Sequence, residues 1–150
     1  MWYNQIVRDL GKIPDAMAYY EGELAAARRE CQIRGSVEKS ISQLPGITEH
    51  RFNQLQEIEA VLNFLNIQLR KIRKTYFQKY LENYNRALSS RDAEKYTDGT
   101  DEVVDMETII NEVALIRNKY LAVVKGLESK SFSMGHLVKL KTAGMEDYSV

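Results

Sequence analysis

The residues best suited to chemistry lie in one stretch. From Ala60 to Leu81 no acidic residue occurs, while Arg70, Lys71, Arg73, Lys74 and Lys79 do. Tyr76, Phe77 and Tyr80 are interleaved with them, and Tyr84 follows. Cations neutralise phosphates and release the condensed counterions. Aromatic faces stack bases without reading their identity. Together they suit a single strand better than a duplex groove. On a helix, Arg70, Lys74 and Gln78 fall in one row, Lys71, Thr75 and Lys79 in the next, and Ile72 and Tyr76 on the apolar side. The candidate DNA contacts are therefore Arg70, Lys71, Arg73, Lys74, Tyr76, Lys79 and Tyr80. Tyr76 is expected to serve mainly stability, and Tyr80, one turn on, to stack a base. A solvated helix face with tyrosines in its seam is the competing account of the same pattern.

Catalytic patterns are sparse. His50 and His136 are isolated from each other and from any nucleophile. Cys31 falls on an apolar helix face, where a buried, inert thiol is the default. The eight glycines form no phosphate-binding loop. Asp101, Asp105 and Glu112 share one helical face and could offer oxygen ligands to a hard cation. Carboxylates near a helix N-terminus are also favoured by the helix dipole alone, and no second acidic helix is evident. The expectation is a protein that is not an enzyme and uses no metal or cofactor.

The elements that must carry these residues read as helices throughout. Pro14 suits a first helical turn, and Met17, Tyr20, Leu24, Ala27 and Cys31 follow at helical spacing. Gly35 and Ser36 are expected to close that helix, and residues 43–46 to form a turn. A long helix is expected from Thr48, with Leu55, Ile58, Leu62, Leu65, Leu69, Ile72 and Tyr76 as a heptad seam. It is expected to reach about Leu88, roughly 40 residues in all at ~1.5 Å rise each. Residues 89–102 break the pattern, and Asp98-Gly99 is a turn signal. A second amphipathic helix carries Ile109, Ile110, Val113, Ile116, Tyr120, Val123, Val124 and Leu127. Ser131 can then cap a short last helix with Phe132, Leu137 and Leu140, closing a hairpin before Gly144. The tail from Met145 is expected to fray.

That organisation is one all-α domain, 1–150. It comprises N-terminal helices (1–46), a long basic-aromatic helix (47–91) and a C-terminal hairpin (103–144). The stripe on the second long helix is broader than one neighbour needs. Ile109, Ile110, Val113, Ile116, Tyr120, Val123, Val124, Leu127 and Phe132 are therefore expected to join copies, and identical copies commonly close into a symmetric ring.

The bulk properties agree with a globular helical protein. Of 150 residues, 44% are hydrophobic and 28% charged, close to the usual proportions. Net charge is +0, but the balance is −1 over residues 1–50, +4 over 51–95 and −3 over 96–150. A neutral total argues against a general nucleic-acid coat and leaves room for one local basic site. One cysteine permits no internal disulfide, which suits a reducing cytoplasm. No apolar run approaches the roughly 18 residues of a membrane span, and the first ten residues do not read as a signal peptide.

Residues 84–144 resemble the UvsY family of phage recombination mediators. The resemblance is carried by the acidic turn DGTDEVVD (Asp98 to Asp105), the long amphipathic helix after it, LESKSFSMGHL (Leu127 to Leu137) and the basic VKLKTAG (Val138 to Gly144). From Thr97 to Gly144 the pattern runs without a gap. Upstream, the family's Lys-x-Arg motif and following aromatic pair are matched by Lys71-Ile72-Arg73 and Tyr76-Phe77. Lys74 stands where the family has leucine. The resemblance implies an all-helical, non-enzymatic protein that forms ring-like homo-oligomers and binds single-stranded DNA. It also implies help in loading a RecA-like recombinase onto strands covered by single-strand-binding protein, in the cytoplasm of an infected bacterial host. The alternative is a coiled-coil structural or adaptor protein that does not bind DNA.

Overall fold

Helical periodicity dominates the chain, and helices are what form. The computed structural model describes residues 1–82 and 88–144. Five α-helices occur among them: α1 (Trp2–Arg8), α2 (Ile13–Glu30), α3 (Val37–Glu82), α4 (Ser90–Asp98) and α5 (Asp101–Thr142). A 3-10 turn, Leu10–Lys12, joins α1 to α2. No strand is present among the described residues. Tyr84, and the expected passage of the long helix through 83–87, lie outside the described residues, as does the tail 145–150. No described helix is long and apolar enough to cross a membrane.

Three expectations about boundaries are corrected. The turn at 43–46 is absent: α3 begins at Val37 and runs through Pro45. The proline ring removes the hydrogen bond to the Ile41 carbonyl. Ile41 and Pro45 are both exposed, so water can take that carbonyl. The C-terminal hairpin over 103–144 is also absent, because α5 is a single helix from Asp101 to Thr142. Ser131 is a helical residue rather than a cap. No proline interrupts that run, and two anchors hold it straight through the expected bend. Met134 is buried, and the Lys130 ammonium donates to the Glu30 carbonyl at 2.8 Å. Third, residues 90–98, expected to be irregular, form α4. Ser89 caps it by accepting from the Asp92 N–H at 3.2 Å, and Gly99 closes it. Gly144, with φ +76, follows the end of α5 as expected of a glycine stop.

Contacts cluster into two compact units, Met1–Ile58 with Ile116–Val150, and Glu59–Leu115. In the first, the buried stripe Ala16, Tyr20, Leu24 and Ala27 of α2 is the stripe its spacing predicts. The Tyr20 and Tyr120 rings meet edge-on at 5.8 Å between centroids. The Tyr120 hydroxyl donates to the Tyr20 carbonyl at 2.8 Å. Burial, first of all, pushes both phenols above the ordinary tyrosine range.

A buried cation organises the polar interior of this unit. Arg51 is 3% exposed. Its Nε and Nη2 donate to the two carboxylate oxygens of Glu30 at 3.0 and 2.5 Å. Its Nη1 donates to Glu23 at 2.8 Å and to the Gln54 carbonyl oxygen at 2.9 Å. Hydrogen bonds to Glu30 are the main reason the guanidinium is held even more firmly protonated than usual. The two glutamates stand two turns apart on α2, so one arginine on α3 fixes the register of the pair. The close approach of α5 to the end of α2 uses Gly126. A Cβ there would lie 3.0 Å from the Cys31 sulfur.

In the second unit, Val61, Leu62 and Leu65 of α3, Ala93 and Thr97 of α4, and Val103, Met106 and Val113 of α5 are buried. The Thr97 hydroxyl donates back to the Ala93 carbonyl at 2.7 Å, so its burial leaves no donor unmatched.

Candidate nucleic-acid interface

The second unit holds every candidate DNA contact, and its geometry sorts them into two faces. Seen down α3 at about 100° per residue, the buried seam of Val61, Leu62 and Leu65 continues through the half-buried Leu69, Ile72, Tyr76 and Tyr80. Arg70, Lys71 and Lys74 lie on the opposite side and are exposed. Among the described residues, no carboxylate pairs with any of these three. Lys79 is exposed on the flank, with its ammonium 5.6 Å from the centroid of the Tyr76 ring, near enough for a cation–π attraction.

The remaining candidates turn inward. Arg73 reaches Asp98 with Nη2 at 2.5 Å and Glu107 with Nη1 at 3.7 Å. The Tyr76 hydroxyl donates to a Glu102 carboxylate oxygen at 2.7 Å. That bond is the main reason its phenol sits above the ordinary range. Tyr80 shares a hydrogen bond with the Thr100 hydroxyl at 2.9 Å. Its ring lies 6.3 Å from Tyr76 and 5.6 Å from Tyr96. The arrangement is a ladder of tyrosines packed towards α4 and the start of α5. The expectation that Tyr80 stands free to stack a base is therefore not met.

Sequence reasoning named Phe77 among the interleaved aromatics without counting it as a DNA contact. Like Tyr80 it is half-buried, but it stands three residues from Lys74 and seven from Arg70, so it borders the cationic face. Tyr80 and Phe77 are both aromatic and only three apart, and periodicity carried far enough would have separated them. Gln78, exposed in the row of Arg70 and Lys74, completes the face.

The residues expected to join copies are placed as follows. Val113, Ile116, Tyr120, Val123, Val124 and Leu127 are buried within the chain's own two cores. Ile109 and Ile110 are half-buried. Phe132 alone stands well out, 73% exposed, with its ring edge-on to His136 at 4.7 Å. The broad stripe of α5 is thus largely covered by helices of the same chain.

The catalytic candidates stay apart. His50 and His136 are exposed. The Cys31 thiol donates to the Val123 carbonyl at 3.5 Å, and burial pushes its pKa up, away from the reactive thiolate. Asp101, Asp105 and Glu112 are exposed on α5. Among the described residues, no group of three or more His, Cys, Asp or Glu side chains could hold a metal ion. Comparison with protein-family models, curated proteins and solved structures finds no match for this chain.

Proposed function

We propose that this all-helical chain is a non-enzymatic recombination mediator. It binds single-stranded DNA through the outer face of α3 and helps a RecA-like recombinase onto strands covered by single-strand-binding protein. The observation that carries the DNA-binding part is the row Arg70, Lys71 and Lys74, exposed and without a carboxylate partner among the described residues. Phe77 at its border supplies a ring for a base. The role in recombination rests on the resemblance of residues 84–144 to the UvsY family, which also supports self-assembly.

The test is a titration of fluorescent oligonucleotides at several salt concentrations. Arg70→Ala, Lys71→Ala and Lys74→Ala together should weaken single-strand binding and lower the log–log salt slope by about 2, at roughly 0.7 per phosphate contact. All three side chains are exposed, so the melting temperature should hold. Unchanged affinity and slope would remove the interface. One observation favours a second reading, a structural adaptor that binds no DNA: Arg73, Tyr76 and Tyr80 are all engaged inside the chain. Wild-type protein that retains no oligonucleotide even at low salt would decide for it.

A further inference from the structure

The helix that presents Arg70, Lys71 and Lys74 to solvent holds a neighbouring cation, Arg73, under two carboxylates. Arg73 lies on the DNA-facing helix, within the acid-free stretch, yet its guanidinium is turned to Asp98 and Glu107. Both partners are about half exposed, at 55% and 49%, and Arg73 itself is 30% exposed. A buried pair would be a fixed part of the core. An ion pair this open to water adds little to stability and is easily exchanged. A phosphate group offers the same bidentate geometry as a carboxylate and gains counterion release in addition.

Resting on the single-strand reading above, we infer that Asp98 and Glu107 act as an internal competitor of the nucleic-acid backbone. They occupy Arg73 in the free protein and restrain its contribution to DNA affinity. Asp98 ends α4 and Glu107 lies in the second turn of α5, so two helices each bring one carboxylate to one arginine on a third. The Tyr76 hydroxyl on Glu102 keeps the start of α5 beside the same part of α3. The carboxylates therefore set how many phosphates a protomer holds. The open face holds phosphates in either case, and one more is held only when Arg73 is released.

The experiment is Asp98→Asn with Glu107→Gln in the full chain, titrated with a fluorescent oligothymidylate from low to high salt. The expected result is tighter binding, on the order of twofold to fivefold at ~50 mM salt, with a log–log slope steeper by about 0.7. Adding Arg73→Ala should abolish the whole gain, whereas Arg73→Ala in the wild-type background should change little. Glu94→Gln with Glu112→Gln removes the same net charge at exposed positions of the same unit and should leave the slope unaltered. An unchanged slope in the Asp98, Glu107 variant overturns the inference. So does a gain that survives Arg73→Ala, or an equal gain in the Glu94, Glu112 control. Asp98→Asn alone serves should the double variant lose helix content by circular dichroism. These failures leave wild-type binding intact, which separates them from failure of the interface itself, where wild-type protein holds no strand.

Discussion

Phe77 and Tyr80 stand three positions apart on one helix and meet different surroundings. Tyr80 has two ring neighbours and a hydroxyl partner, so replacing it removes packing and a hydrogen bond together. Phe77 borders the cations and is half-exposed. Phe77→Ala should weaken oligonucleotide binding by roughly 1–3 kcal/mol, the usual loss for one stacked base, with little change in melting temperature. Tyr80→Ala should lower the melting temperature while leaving binding largely intact. The two variants are compared by thermal melts and fluorescence titration on the same samples, and the reverse pattern would restore Tyr80 as the stacking ring. Types and spacing made the cations legible, because Arg70, Lys71 and Lys74 need only a helix to share a face. They did not disclose that Arg73 belongs to the other side, since the acids that claim it lie 25 and 34 positions further along.

Among elements, α2 and the amphipathic seams of α3 and α5 could be read from periodicity, since burial of one face follows directly from apolar spacing. The start of α3 and the unbroken run of α5 through Ser131 could not. Pro45, Ser131 and the glycines are local breakers by propensity, and tertiary contacts outweigh them. Arg51 illustrates a further gap: a lone arginine between His50 and Phe52 gives no sign that it will be buried, since its acceptors, Glu23 and Glu30, sit on another helix. Gly126 makes the contest between local and tertiary terms measurable. Alanine at a helix interior is favoured over glycine by about 1 kcal/mol, but here its Cβ meets the Cys31 sulfur at 3.0 Å. Gly126→Ala should therefore bring little or no gain in the wild type. In a Cys31→Ala background the same change should stabilise by about 1 kcal/mol, read from chemical denaturation. Equal effects in both backgrounds would show that the contact between α2 and α5 has slack.

For the molecule as a whole, the prediction that needs revision in detail is assembly. A stripe on α5 that its spacing suggests is left for another copy is mostly spent inside the chain. The large apolar residues that remain exposed in the first unit include Ile41, Phe132, Val138 and Leu140. Ile41 and Val138 line two hollows, one with Val37 and the other with Leu44 and Pro45. Contiguous exposed apolar surface marks a site of association. Phe132→Glu with Val138→Glu should accordingly give smaller species by light scattering at tens of micromolar protein, with helix content unchanged because both positions face water. The corresponding change at Ile109 and Ile110 should have the weaker effect. Wild-type protein that is monomeric under these conditions, or a variant that stays assembled, would place the contact elsewhere.

The two segments that make up the first unit have a temporal consequence. Residues 59–115 make up the second unit as one continuous segment, whereas the first draws on both 1–58 and 116–150. Its tyrosine pair and its lysine–carbonyl bond each join residues 100 positions apart. A ribosome therefore delivers the whole of the second unit before Tyr120 and Lys130 emerge, while α2 has its α3 partner Arg51 but not these two. Closure across so long a separation is slow compared with local helix pairing. The order of completion is thus set by connectivity: the unit bearing the cationic face first, and the unit joining the two ends of the chain last.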